Sequence, residues 1–285
     1  MNPLDWDRRP LNLVALGDSF TEGVGDPYPP AEPGAPVRYR GWADRFAEHL
    51  AAHVPELRYA NLAVRGKLMR QIVEDQLARA VGLAPDLVTL SAGGNDLLRP
   101  GGDPDRLARV LERAVRRLRG TGADVVLFTG INFSAGFMRL RIGTFARYYL
   151  NIRAIADRHG CHLVDQWSMD SLTDRRAWDA DRLHMSPEGH RRLAAKVAET
   201  VGLPVERGDD AWPPAPPPDR RAARRADARW AREHLVPWVG RRLTGRSSGD
   251  GVTAKRPELE PFAAEGGAGA RHGAGGGRER TDRAG

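Results

Sequence analysis

Four short segments carry side chains suited to chemistry. Gly17-Asp18-Ser19-Phe20-Thr21-Glu22-Gly23 offers a serine hydroxyl and the backbone N–H of the same residue at a glycine-flanked turn. Ser91-Ala-Gly-Gly-Asn-Asp96 has two glycines that let the backbone approach a ligand, and Asn95 supplies amide donors. Asn61-Leu-Ala-Val-Arg-Gly66 ends on a backbone N–H with no side chain to block it. Asp181-Arg-Leu-His184-Met-Ser-Pro-Glu-Gly-His190 puts a carboxylate and an imidazole three residues apart on one loop. Each segment alone is compatible with an ordinary turn or helix cap. Together they make a hydroxyl nucleophile (Ser19), an imidazole base (His184), a carboxylate (Asp181) and three oxyanion donors: the Ser19 and Gly66 N–H groups and the Asn95 amide. That set meets the needs of acyl transfer. Asp179 is a second carboxylate near His184, and His190 reads as a structural residue inside the following helix.

These segments need elements that bring them to one place. Apolar runs at Leu11–Leu16, Leu57–Leu62, Leu87–Ser91, Val125–Phe128 and His162–Val164 read as five short strands. Amphipathic stretches at Arg38–His53, Leu68–Val81, Pro104–Leu118, Phe145–His159 and Pro187–Thr200 read as helices, the last with Ser186 as N-cap and Pro187 as its first residue. Strands alternating with helices imply an α/β fold: a flavodoxin-like, doubly wound, five-stranded parallel sheet. In such a sheet the loops after the strands' carboxyl ends form the ligand crevice. Three of the four segments follow strands directly, and the fourth precedes the last helix.

Composition bounds the remainder. One cysteine, Cys161, excludes an internal disulfide and a cysteine-built zinc site, and the histidines lack metal-ligand spacing, so neither metal nor cofactor is expected. No run approaches the ~18 apolar residues that span a bilayer, and the first apolar run does not read as a signal peptide, so a cytoplasmic protein is the expectation. The net charge of +7 rests almost wholly on arginine, with lysine only at positions 67, 196 and 255. No basic stripe with interleaved aromatics occurs in residues 1–205, and no nucleic-acid partner is expected. Past Pro204 the pattern changes into a C-terminal extension. Residues 206–218 read as a proline-rich linker. Residues 219–246 read as an arginine-rich, partly helical arm that Pro237 should break or kink. The glycine-rich residues 247–285 read as a disordered tail.

With these residues in view, the chain resembles the SGNH hydrolases, also called GDSL esterases or lipases. The resemblance rests on Gly17-Asp18-Ser19, Gly66, Gly93-Gly94-Asn95-Asp96 and Asp181-Arg182-Leu183-His184, in family order and spacing over about residues 10–200. Ala63 stands where a glycine is frequent. Within the family the chain is most similar to actinobacterial, intracellular-looking members. The resemblance implies a hydrolase domain over 1–205, with Ser19, His184 and Asp181 as nucleophile, base and orienting acid. It also implies an oxyanion hole of Ser19, Gly66 and Asn95. Asp18 and Asp96 are expected to hold turns rather than react. The expected substrate is a small-molecule carboxylic ester with a small acyl or acetyl group. Arg65, Lys67 and Arg70 are candidates to meet an anionic leaving group, although solvation of a helix start is favoured. Phe133, Phe137 and Met138 are candidate acyl-pocket residues.

Two rivals stand beside ester hydrolysis. One is an acyltransferase using the same residues. The other is a peripheral membrane or nucleic-acid binding protein acting through residues 219–246, with Trp230 and Trp238 inserted at a lipid interface. An arm folded against the hydrolase domain is favoured over that contact.

Overall fold

The structure is a computed structural model that describes residues 11–133, 137–205, 211–214, 219–244 and 246–263. Strand β1 (Leu11–Leu16) leads into a one-turn helix, α1 (Ser19–Glu22), and then α2 (Gly41–Ala51). Strand β2 (Leu57–Asn61) is followed by α3 (Met69–Ile72), a π turn at Val73–Leu77, and α4 (Ala78–Gly82). Then come β3 (Leu87–Leu90), α5 (Gly94–Leu97), α6 (Pro104–Arg119), β4 (Asp124–Phe128), α7 (Ile142–His159), β5 (His162–Val164) and α8 (Pro187–Thr200). The extension adds α9 (Arg220–Trp230), a second π turn (Ala231–Leu235), α10 (Val236–Leu243) and strand β6 (Arg256–Pro261).

Caps written in the sequence set the helix boundaries. The Asp103 carboxylate accepts the N–H groups of Asp105 and Arg106 at 2.9 and 3.1 Å, and Pro104 follows as the first helical residue of α6. Ser186 does the same for α8, its hydroxyl accepting the Gly189 N–H at 3.2 Å. Three arginines in the last turn of α6 complement the negative end of the helix dipole.

The sheet runs in the order β5-β4-β3-β1-β2-β6, parallel throughout except for β6, which is antiparallel to β2. The five-strand core has the expected flavodoxin-like order. Each face of it buries an apolar layer. Helices α3, α4, α6 and α7 cover the face holding Leu16, Val88 and Leu127, and α2 and α8 cover the one holding Leu13, Tyr59 and Val126.

Two expectations for the extension are corrected. First, residues 256–261 belong to the sheet rather than to a disordered tail. Lys255 reaches beneath the strand to the Asp44 carboxylate at 2.8 Å, and Phe262 packs edge-on against Tyr59 with ring centroids 5.3 Å apart. Pro257 and Pro261 are tolerated because β6 is an edge strand with one side unpaired. Residues 264–285 lie outside the described residues, as do 206–210 and 215–218 of the linker. Second, of the two outcomes expected at Pro237, the break does not occur. The wider π turn before it carries the Val236 N–H to the Ala231 carbonyl, and this makes room for the pyrrolidine ring within a continuing helix.

Candidate active site

Ser19 is the first residue of α1, immediately past the end of β1. Its position is fixed by the two residues before it. The Asp18 side chain caps α1 by accepting the Phe20 N–H at 3.1 Å. Gly17 is gripped on both sides of its backbone by the buried Gln76 amide: the Gly17 N–H donates to Oε1 at 2.9 Å and Nε2 donates to the Gly17 carbonyl at 2.8 Å. A side chain at Gly17 would press to within 2.8 Å of the Ser91 carbonyl, so glycine is what lets the loops after β1 and β3 close on one another. Gln76 carried no sequence signal. It sits on the π turn, whose extra residue redirects the side chain away from the expected helical face. Gln76→Ala leaves the buried Gly17 N–H without a partner and the Gly17 carbonyl with only the longer bond from the Val64 N–H, at 3.4 Å. We expect a loss of about 2 kcal/mol in stability, measurable by urea unfolding, with ester turnover falling as Ser19 loses its support.

Neighbouring loops are cross-braced. The Asn61 amide donates to the Thr21 carbonyl at 3.0 Å, tying β2 to α1. Buried Glu22 accepts the Arg65 N–H at 2.7 Å and forms an ion pair with the Arg65 guanidinium. This holds Gly66, at φ +74°, in a conformation that side chains rarely adopt. Lys67 pairs with Asp75 at 2.6 Å and Arg70 with Glu74 at 3.3 Å, so all three cationic residues of this stretch already face carboxylates. Asp96 accepts the Met69 N–H at 2.9 Å at the start of α3, a turn-holding role.

The last loop brings the imidazole to the serine. His184 Nδ1 lies 2.6 Å from Asp181 Oδ2, while Asp181 Oδ1 accepts the Leu183 and His184 N–H groups at 2.9 and 3.0 Å. Burial alone would raise the Asp181 pKa, but the hydrogen bond and charge of His184 outweigh it and bring it to about 2. Asp181 is therefore a carboxylate across the neutral range. Asp179 makes no side-chain bond to His184; only its backbone N–H reaches the His184 carbonyl, at 2.9 Å. His190 is structural. Its Nδ1 accepts the Trp42 N–H at 3.0 Å, which leaves Nε2 to donate to the Val24 carbonyl at 3.2 Å, and burial lowers its pKa to about 4.

Ser19, Gly66, Asn95, Asp181 and His184 all line one cavity of about 290 Å³. Among the described residues no hydrogen bond joins the Ser19 hydroxyl to the imidazole. The Ser19 N–H, first in its helix, has no intrahelical acceptor, and among the described residues the Gly66 N–H donates to no other group. Asn95 differs: its Nδ2 donates to Asp18 Oδ2 at 3.0 Å and to the Lys67 carbonyl at 3.1 Å. A smaller apolar cavity of about 180 Å³ also reaches Ser19 and His184, walled by Phe20, Phe128, Phe133, Tyr149 and Trp178. Phe133 is therefore where an acyl-pocket residue should be, and the side chains of Phe137 and Met138 lie outside the described residues.

Burial drives the Asp18 pKa up to about 6, against the lowering effects of the Phe20 N–H and the His184 charge. Between about pH 4 and pH 6 the folded protein thus holds a proton that the unfolded chain has released. Stability is highest below pH 4, falls as pH rises through 6, and is then flat with respect to this group. The expected change is on the order of 2 kcal/mol. Asp18→Asn should remove that slope in urea unfolding measured across the window.

The roof of the larger cavity was not legible in the sequence. It is the arm. Trp230 Nε1 donates to the Asp181 carbonyl at 2.8 Å, and Arg182 stacks its guanidinium 5.0 Å over the Trp230 ring while pairing with Asp227 at 2.6 Å. Trp238 lines the same cavity, and Ser247 lies against Gly66. Trp230 and Trp238 thus both line the cavity that holds Ser19, Asp181 and His184. Among the described residues no helix is long and apolar enough to cross a membrane.

A doubly wound sheet with a serine at the first crevice loop and a paired Asp-His at the last suits a carboxylic ester hydrolase, the class to which the family match assigns the chain. The GDSL-like lipase/acylhydrolase family profile matches residues 15–192, and the chain belongs to that family. Among solved structures it is similar to LAE5, an alpha/beta hydrolase from the metagenome of Lake Arreo, Spain, at 25% identity and TM-score 0.56, covering 70% of this chain and 98% of that one. It is also similar in fold to TesA (22%, TM-score 0.55, covering 67% and 98%) and to Axe2, an acetylxylan esterase from Geobacillus stearothermophilus (22%, TM-score 0.55, covering 68% and 95%). No match is found among curated proteins.

Proposed function

We propose that the protein hydrolyses esters of short acyl groups through Ser19, His184 and Asp181. The observation that carries this reading is the His184–Asp181 hydrogen bond on the wall of a cavity shared with Ser19. With Nδ1–H held by Asp181, Nε2 is the basic nitrogen of a side chain that lines the serine's cavity. Ser19 Oγ attacks the ester carbonyl, His184 takes the hydroxyl proton, and the same proton goes to the leaving alkoxide. Water then repeats the sequence on the acyl-enzyme. The oxyanion rests on the free N–H groups of Ser19 and Gly66. Asn95 joins them by exchanging its longer bond, to the Lys67 carbonyl, for the oxyanion.

The narrow aromatic cavity beside Ser19 supports a short acyl chain. Acetylxylan hydrolysis by the Axe2 relative agrees with that size. The test is hydrolysis of p-nitrophenyl acetate, butyrate and octanoate, with a fluorophosphonate probe run alongside and its labelled residue mapped by mass spectrometry. Turnover falling steeply from acetate to octanoate, with label on Ser19, is the expected result. Label on another residue, or turnover that survives Ser19→Ala, would end the assignment.

A further inference from the structure

Arg99 lies one helical turn beyond Asn95, just past α5, on the wall of the larger cavity. Among the described residues it forms no ion pair, and its Nε is shielded from solvent with no hydrogen-bond partner. A shielded guanidinium nitrogen without an acceptor is costly, so most such groups in folded proteins are satisfied. Arg99 is itself half-buried and lines the cavity that also holds Ser19 and His184. Arg241 and Arg246, on the arm side of that cavity, also form no ion pair among the described residues.

Arg99 also lines a second groove, of about 860 Å³, and is the residue that the two spaces share. The groove is basic. Arg106, Arg109 and Arg113 line it and, among the described residues, form no ion pair. Its three acidic residues are committed elsewhere: Glu74 to Arg70, Asp96 to the Met69 N–H, and Asp103 to the cap of α6. The apolar cavity on the other side of Ser19 carries no arginine. The two sides of the serine therefore differ in kind, one small and aromatic, the other cationic.

We propose that Arg99 anchors an anion subsite, and that the ester's leaving group carries a carboxylate or phosphate seated at this residue, which the catalytic cavity and the basic groove share. This rests on Ser19 being the nucleophile. The acyl group occupies the aromatic side, and the leaving group points toward Arg99. The guanidinium supplies a forked donor to the oxyanion group.

The test uses three acetyl esters of matched shape: 4-acetoxybenzoate, 4-acetoxyphenyl phosphate and the neutral methyl 4-acetoxybenzoate. Each kcat/KM is normalised to the ester's alkaline hydrolysis rate. At low salt at least one anionic ester should exceed the neutral one by about tenfold or more, chiefly through KM, and the advantage should shrink as salt is added. Advantage for the phosphate ester alone assigns a phosphate subsite; advantage for both assigns a general oxyanion subsite. Arg99→Gln should reduce the anionic-to-neutral ratio about tenfold, and Arg99→Lys should recover part of it. A wild-type ratio near one, or a ratio unchanged in Arg99→Gln, overturns the proposal. Binding of phenyl phosphate, benzoate and neutral benzamide to Ser19→Ala, followed by tryptophan fluorescence, separates the two readings. Anion binding lost in Ser19→Ala/Arg99→Gln, with no ester turned over by the wild type, would keep the subsite and remove the hydrolase mechanism. Turnover without anion preference, and no anion binding, would do the reverse.

Discussion

His184→Ala should lower kcat for p-nitrophenyl acetate by roughly 10⁶-fold, and adding Ser19→Ala should cost almost nothing more. The reason is that the two groups act as one unit. A serine hydroxyl is a weak nucleophile until its proton has somewhere to go, and an imidazole with no hydroxyl has no proton to take. Asp181→Asn should be milder, about 10⁴-fold. The asparagine oxygen would stay with the Leu183 and His184 N–H groups and turn its NH2 toward Nδ1, so the tautomer that leaves Nε2 basic would lose its support. Steady-state kinetics of the single and double variants decide the matter. Losses that multiply in the double variant would show that the two residues act independently, and the shared proton transfer would have to be abandoned.

Asp44→Ala should be the most destabilising single change, about 3–5 kcal/mol and about 10 °C in Tm. Asp44 is completely buried. Its Oδ1 accepts the Tyr59 hydroxyl at 2.9 Å and the Lys255 ammonium at 2.8 Å, and its Oδ2 accepts the Tyr28 hydroxyl at 3.0 Å. Burial raises the pKa of both phenols and lowers that of Lys255, so each partner depends on this one carboxylate. Removing it strands an ammonium group under β6 with only the Tyr39 and Arg40 carbonyls, at 3.0 and 2.8 Å. Lys255→Met should cost less, because Asp44 keeps both hydroxyls and Arg256 at 3.7 Å. The double variant should cost less than the sum of the two. Additive losses in thermal and urea unfolding would show that the ion pair does not couple α2 to the extension.

How much of this the sequence discloses depends on how local the cause is. Apolar runs ending at Gly17 and Ser91 disclose strands and the turns after them, because burial on both faces of a parallel sheet demands such runs. The Asp181–His184 pairing is legible because both residues lie on one short loop. The cap at Ser186 is legible because its partner is three residues away. Strand β6 is hidden because Arg-Pro-Glu-Leu-Glu-Pro has a single apolar residue, Leu259, and is held by an ion pair to a distant helix. Gln76 is hidden because a widened turn shifts it off the helical period. Glu22 pairs with Arg65 across two loops, and no spacing rule connects them. For the arm, the shared face of Trp230 and Trp238 discloses that the helix packs, but not that it packs over the serine.

The sixth strand has a consequence for how the molecule is assembled. Arg58 on β2 and Leu259, whose carbonyl it meets at 3.0 Å, are 201 positions apart in the chain. Loop-closure entropy grows only logarithmically, so this distance weighs little on the equilibrium. It weighs on the rate, because contacts between remote parts of a chain form late. During synthesis and refolding the other five strands can assemble first, leaving the outer hydrogen-bonding groups of β2 open until β6 arrives. For that interval β2 is an edge that a second chain can add to, and aggregation during refolding should rise steeply with protein concentration.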